Sequence, residues 1–414
     1  MNTDCSQLLV LAGRRFPIQS RLQVPSDRLV VMAETRGEVL DRLGGPALLE
    51  WHLRNGTETS SNEYILKYKA QVARGIANTK VVYLDTNYWV RLRDAELGKG
   101  STSGVALLGR LRSLVASRKI VCVSHLTSML EIAKQLENSA RATTALVDEL
   151  TEGVALAPTA ELDALEIGIY MFAKAGSTWP TPPLQWTCLG QIAKSELSGG
   201  KVLPANLDNG RRHAVLKSTA DALWNLSLSE VFEAFNWKTK HRLQSDLDPE
   251  TLIRVEERKS TRPLGGNLRK TCEAEFADLM KQSLGLFEAE FRKLLSPIGV
   301  AALGAKLPLT ARAMANHALK DYRAGTLGGH LPGFVIRTEL YSMYECDPAY
   351  KLSSNDWHDW QHASAALPYC QLFLTEKRLA HQVTKMLHLD TKYQCRVVGP
   401  DMEAAYSALD HLAF

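Results

Sequence analysis

The stretch "TKVVYLDTNYWVRL", Thr79 to Leu92, changes character at its centre. Val81, Val82, Tyr83 and Leu84 form a short β-branched and aromatic run without polar alternation, as expected of a strand covered on both faces of a parallel sheet. The run stops at Asp85, and "DTN" commonly serves as a strand exit and helix cap. A buried strand that ends in a carboxylate predicts an α/β fold, because parallel sheets gather their ligand-binding groups beyond the carboxyl ends of their strands.

The same logic repeats downstream. "SGVALLGRLRSLVASR" has apolar residues at helical spacing, and "KIVCVS" is a second buried strand. Ser124 is placed to cap one long helix through "LTSMLEIAKQLENSARATTALVDEL". After "TEGVALAP" comes another helical pattern, "TAELDALEIGIYMFAKAG", and then "STWPTPPLQW", whose prolines exclude regular helix. Between about 185 and 345 the periodicity is helical, in "LSEVFEAF", "CEAEFADLMKQSLGLFEAEFRKLL" and "ARAMANHALKDYRAG", and no strand is expected. The α/β style returns with the helix "WHDWQHASAALPY", the strand "CQLFLT", a helix from Glu376, the strand "CRVVG" and a closing helix "DMEAAYSALDHL". Nearer the start, "DRLVVMAE" reads as a strand and "EVLDRLGGPALLEWHLRNG" as helix, glycine break, helix. The expected division is an N-terminal region of unassigned role (1–78), a first core segment (79–175), a mostly α-helical insertion (176–348) and a second core segment (349–414).

Composition sets the outer limits. With 414 residues, 45% of them hydrophobic, the chain can bury a large core and is expected to hold two or three structural units. Apolar runs such as "LLVLAG" fall far short of the roughly 20 residues that cross a bilayer, so no membrane association is expected. "MNTDCSQLLVLAGRRF" has neither a basic leader nor a small-residue cleavage site, and the expected location is cytoplasmic. Seven scattered cysteines, none spaced C-x-x-C, argue against a disulfide framework or a thiolate metal site. A net charge of +4 permits nucleic-acid binding without demanding it.

Acids occupy the expected strand ends. Asp85 ends the first strand, and Glu131 lies on the helix after the second. Asp356 and Asp359 begin the helix before the third, and Glu376 follows that third strand directly after Thr375. Carboxylates gathered without a cation repel one another, so such a cluster is normally explained by bound Mg²⁺ or Mn²⁺. Three of these acids also have a bland reading. Asp85 and Asp356 serve as helix caps, and Glu131 lies on a solvated helix face, with Glu166 a rival for its role.

Four stretches, "VVYLDTNYWVRL", "VSHLTSMLEIAK", "NDWHDWQHASAALPYC" and "LFLTEKRL", resemble in their order the acidic motifs of PIN-domain nucleases, over about residues 80–170 and 350–414. The resemblance implies a PIN-like parallel sheet flanked by helices. It also implies a pocket that holds Mg²⁺ or Mn²⁺ and hydrolyses phosphodiester bonds, most often in RNA. Asp85, Glu131, Asp359 and Glu376 would then be the catalytic acids, with Asp85, Glu131 and Asp359 binding the metal, Asp356 a close second for the third position, and Glu376 an outer ligand or water holder. Asn87, Thr375, Ser124 and His362 would support them. Two departures stand out: Glu376 falls where the family often has Asp, and Gln371 takes another frequently acidic place. Large single-chain members of this kind suggest toxin-like or defence duty, with room for a homo-oligomer or a regulatory protein partner. The alternatives are an inert PIN-like module that binds RNA or protein, and a structure-specific DNA nuclease.

One competing motif is "HDWQH", His358 to His362, one residue from the H-E-x-x-H of zinc proteases. The following Pro368 and strand-like "CQLFLT" supply no third ligand in the expected context, so the zinc reading is weak. For nucleic-acid contact the best basic stretch is "RVEERKSTRPLGGNLRK", with Arg258, Lys259, Arg262, Arg269 and Lys270; Trp237, Lys238, Lys240 and Arg242 form a second.

Overall fold

Parallel strands leave and re-enter a sheet through helices, and a strand covered on both faces sends alternate side chains into two separate cores. Both features are present in the computed structural model, which describes residues 45–55, 59–176, 184–192, 208–234, 256–257, 259–260, 267–295, 307–327 and 329–413. The candidate strand "DRLVVMAE" and the second basic stretch lie outside the described residues.

Two helices, α1 (Gly45–Asn55) and α2 (Ser61–Gly75), precede the sheet. Strand β1 (Lys80–Leu84) leads through α3 (Thr86–Glu96) and α4 (Thr102–Ala116) to β2 (Ile120–Val123). Helices α5 (Leu126–Ala133) and α6 (Glu137–Thr151), strand β3 (Val154–Leu156), α7 (Thr159–Lys174) and strand β4 (Trp186–Cys188) follow. The segment expected to be an insertion then contributes α8 (Asn209–Trp224), α9 (Leu228–Ala234), α10 (Leu268–Gln282), α11 (Leu284–Leu295), α12 (Leu307–Ala324) and α13 (Pro332–Cys346). The chain returns with α14 (Ser354–Ala366), β5 (Leu372–Leu374), α15 (Lys377–His381), a π-helical turn (Gln382–Met386), α16 (Leu389–Tyr393), β6 (Arg396–Val398) and α17 (Met402–Ala413).

The main sheet is parallel in the order β2-β1-β5-β6, so the first and last parts of the chain meet at its centre. Val82 stands opposite both Cys122 and Leu372, and Leu374 stands opposite Val398. Val82, Leu84, Cys122, Leu372 and Leu374 face one core, shared with Leu107 and Leu111 of α4 and Leu409 of α17. Tyr83, Val123 and Phe373 face the other, with Ile336 and Leu340 of α13 and Trp360 and Ala363 of α14. The result is a helix–sheet–helix sandwich in a chain that is mostly helical.

Three expectations need correction. The single helix after β2 is two, α5 and α6, broken around Lys134–Leu136. Its cap is His125, whose Nδ1 accepts from Thr127 N, because Ser124 is still extended: it bridges to Ala155, and its carbonyl accepts from Leu156 N. A strand does occur after residue 185, since β4 pairs antiparallel with β3. Its three residues, Trp186–Cys188, are too short to carry a visible alternation.

A third apolar cluster joins α7, α10, α11, α12 and α13 through Tyr170, Phe276, Phe287, Ala315 and Phe334. Helices α7 and α13 also face the sheet, through Leu162 and through Ile336 and Leu340, so these two elements are shared between cores.

Candidate functional site

The carboxyl edge of the sheet opens into a cleft of about 230 Å³, lined by five acids, Asp85, Glu131, Asp356, Asp359 and Glu376, together with Thr86, Asn87, His362 and Arg378. Sequence-distant elements deliver each acid, and local chemistry fixes it. Asp85 directly follows β1 and caps α3, its Oδ1 accepting from Tyr88 N at 3.0 Å. Its Oδ2 accepts from Thr375 Oγ1 at 2.7 Å, so the residue after β5 braces the residue after β1. Glu376 repeats the device one strand over, capping α15 with Oε1 against Leu379 N at 2.9 Å. For both residues the capping and chemical readings coexist, since a carboxylate at a helix N-terminus is favoured by the unsatisfied N–H groups there.

Glu131 comes from α5. Its Oε2 accepts from Thr86 Oγ1 and from His362 Nε2, the latter at 2.8 Å. Burial pushes this carboxyl up, but His362, by charge and by hydrogen bond, together with the Thr86 hydroxyl outweighs burial and holds it down at about 2. His362 is fixed in turn from behind, its Nδ1 lying 2.6 Å from the Tyr83 hydroxyl of β1. With Tyr83 donating to Nδ1, the imidazole presents its Nε2 proton to Glu131.

Asp359 is different. It accepts no hydrogen bond from a described residue, although one turn of helix away Asp356 is fully engaged. Burial, and then the charges of Glu376, Asp85, Glu131 and Asp356, push its carboxyl up to about 9. Such a shift is what like charges sharing a dry site produce when nothing positive separates them. Asp85 is also raised, by burial, with His362 and Thr375 working in the opposite direction.

Asp356 lies in the cleft wall, but both its oxygens are taken. Oδ2 closes a capping box with Ser353, while Oδ1 accepts from the Tyr350 hydroxyl at 2.6 Å and forms an ion pair with Arg378 Nη2 at 2.7 Å. Of the supporting residues, Thr375 braces Asp85, His362 braces Glu131, and Asn87 lines the cleft from an exposed position. Ser124 does not line it; its hydroxyl is buried and has no hydrogen-bond partner among the described residues.

Glu166 is not a rival for Glu131. It is buried elsewhere, where both its oxygens accept from Gly333 N at the start of α13 and one accepts from the Tyr369 hydroxyl. Gln371 lies at the opposite edge of the sheet, where its Oε1 accepts from Val81 N and completes the ladder, so its departure from an acid does not touch the cleft. The H-D-x-x-H histidines also diverge: His358 Nε2 sits 3.1 Å from Lys134 Nζ while His362 serves Glu131, which removes the zinc-protease arrangement.

The basic stretch gives a mixed result. Arg258 and Arg262 lie outside the described residues. Arg269 pairs with Glu273 one turn on, and Lys270 is exposed. Lys259 does not face outward as a free cation; its Nζ donates to the carbonyls of Asp347 and Tyr350 and lies over the Tyr344 ring. Its tie to the segment entering α14 satisfies carbonyls that a loop would otherwise present to water. Sequence reasoning missed Arg378, whose only signal is a basic residue two positions after a candidate acid in "TEKRL".

Among the described residues, no three His, Cys, Asp or Glu side chains stand ready as a closed metal-binding set. The donor chemistry nevertheless suits a hard cation: carboxylate oxygens from separate elements converge, and one carboxylate, Asp359, has no hydrogen bond from a described residue and is strongly destabilised as an anion. Compared with known proteins, the chain matches no family model, no curated protein and no solved structure.

Proposed function

We propose that the acid cleft is the active site of a divalent-metal-dependent nuclease, with RNA the preferred substrate and a PIN-like core as its scaffold. The observation that carries this is Asp359 at the carboxyl edge of a parallel sheet, which accepts no hydrogen bond from a described residue and is pushed up to about 9 by burial and then by four neighbouring carboxylates. A purely structural acid in such a place would be bonded or replaced.

Mg²⁺ or Mn²⁺ would be held by Asp85, Glu131 and Asp359, with Glu376 beside them. When bound it supplies neutralisation of the phosphodiester oxygens and acidification of the attacking water. The chain's own groups set the stage. Asp85 is rigid because a strand end, a helix cap and Thr375 fix it together. Glu131 is kept anionic by His362 and Thr86 and so stays available as a ligand at neutral pH. Without an opposing positive charge, Asp359 holds a proton at neutral pH and releases it once one is present. Asp356, taken by Ser353, Tyr350 and Arg378, is left out of the inner set. A toxin-like or defence role is part of this proposal by analogy with other large PIN-like chains, and rests on no residue of the cleft.

The test incubates the full chain with labelled structured RNA and with DNA, in Mg²⁺, in Mn²⁺ and in EDTA, beside a folded Asp85→Asn variant. Expected is cleavage of RNA that needs the cation and falls at least about 100-fold in the variant, the scale of losing an inner-shell group or its ordering partners. Cleavage of DNA alone would indicate the structure-specific DNA nuclease, and tight RNA binding without cleavage the inert binding module. Equal cleavage by parent and variant would place the activity elsewhere.

A further inference from the structure

Arg378 is the one lysine or arginine among the described residues that line the cleft, and the acid reading of the site gives it no task. It is held in a specific way. Nη2 pairs with Asp356 Oδ1 at 2.7 Å, and the guanidinium carbon lies 4.2 Å from the centre of the Tyr350 ring. Tyr350 in turn donates to the same Asp356 oxygen at 2.6 Å and accepts from Gln382 Nε2 at 3.2 Å. The anchor is asymmetric. The Asp356 side chain is 3% exposed, whereas that of Arg378 is 47% exposed.

A buried carboxylate and an aromatic face together hold a guanidinium whose side chain stays about half exposed. Arginine carries five N–H donors, and the ion pair with Asp356 is made through Nη2. Arg378 also stands in a cleft lined by five acids, whose charges would repel an anionic substrate. A planar, always-charged fork suits the oxygens of a phosphodiester better than an ammonium does.

We infer that Arg378, oriented by Asp356 and Tyr350, is a phosphate grip that binds a nucleic-acid backbone phosphate beside the carboxylates of the cleft. The inference rests on the nuclease reading for its substrate class. It moves Asp356 from the ligand set expected from sequence to a positioning residue for Arg378. The π-helical turn has a place in it, because Gln382 opens that turn and supports the Tyr350 hydroxyl. Such turns recur near functional sites.

The test measures binding rather than turnover. Anisotropy of a labelled single-stranded RNA oligonucleotide is followed in Ca²⁺ over a salt series, using the full chain, Arg378→Ala, Arg378→Lys and Asp356→Asn. Arg378→Ala is expected to weaken binding several-fold and to reduce the log–log salt slope by about 0.7, one phosphate contact on a single strand. Arg378→Lys should keep the slope and lose part of the affinity, since charge survives but the fork does not. Asp356→Asn retains the polar cap and should fall between parent and Arg378→Ala. Equal affinity and equal slope for parent and Arg378→Ala overturn the grip, as does a parent that binds no RNA. Cleavage is scored separately: a parent that grips RNA through Arg378 but never cuts it leaves the inference standing and removes the nuclease reading.

Discussion

Two aspartates one helical turn apart, Asp356 and Asp359, show how much a residue's role depends on neighbours that the sequence does not display. Both read alike as candidate third acids. In the fold Asp356 is satisfied by Ser353, Tyr350 and Arg378, and Asp359 is left facing four carboxylates. Asp359→Asn should therefore stabilise the cation-free protein, by on the order of 1–3 kcal/mol near pH 8 after allowance for relaxation around the site. Thermal unfolding in EDTA checks this, and a variant less stable than the parent would contradict it. Thr375→Val tests the brace on Asp85. It leaves a buried carboxylate oxygen without its donor and should cost about 1–3 kcal/mol, read from denaturant unfolding. Asp85 and Glu376 could be picked out because strand ends are visible as buried runs, and Glu131 because it lies on the helix that follows such a run. Arg378 and the orienting role of His362 could not, since both depend on which elements come together in space.

At the scale of elements, the parallel strands and their following helices were readable because continuous apolar runs and 3.6-residue periodicity are strong local signals. The β3–β4 pair was not, being two three-residue strands too short to carry an alternation pattern. Nor was the break between α5 and α6, where apolar spacing runs on across the interruption. The junction of α7 with α13 was equally hidden. There Gly333 allows the Glu166 carboxylate to meet its amide, for an added Cβ would lie 3.0 Å from Glu166 Oε1. Burial, then the charge of Asp163, raises the Glu166 carboxyl to about 8 from its ordinary 4.5, against the hydrogen bond from Tyr369 and the charge of Arg337. The sign follows from linkage. Because the folded state binds this proton more tightly than the unfolded chain does, the contribution is fully present below about pH 4.5 and is lost as pH rises through about 8. Glu166→Gln should flatten the fall in stability across that window; an unchanged pH profile of unfolding would show that Glu166 does not titrate there.

For the whole molecule, the main lesson is that α7 and α13 belong to two cores at once. The helical cluster around Phe276 and Phe287 is therefore coupled to the sheet that carries the cleft. The Phe276 ring stacks on Tyr322 at 4.2 Å and is fully buried, so Phe276→Ala should cost about 3–5 kcal/mol. Its effect should appear as a lower Tm of the same transition that unfolds the sheet; a separate early transition with the sheet signal unmoved would contradict shared helices. This coupling explains why composition and periodicity predicted an α/β core with helices set into it, while the integration of those helices could be seen only in the fold.

The assembled cleft is most directly tested by calorimetric titration of Mn²⁺ into the metal-free full chain, beside Asp359→Asn. Expected is saturable binding by the parent and affinity at least about 10-fold weaker in the variant, as removal of an inner-shell carboxylate demands. Equal binding by both proteins, or none by the parent, would contradict a cation site among these acids.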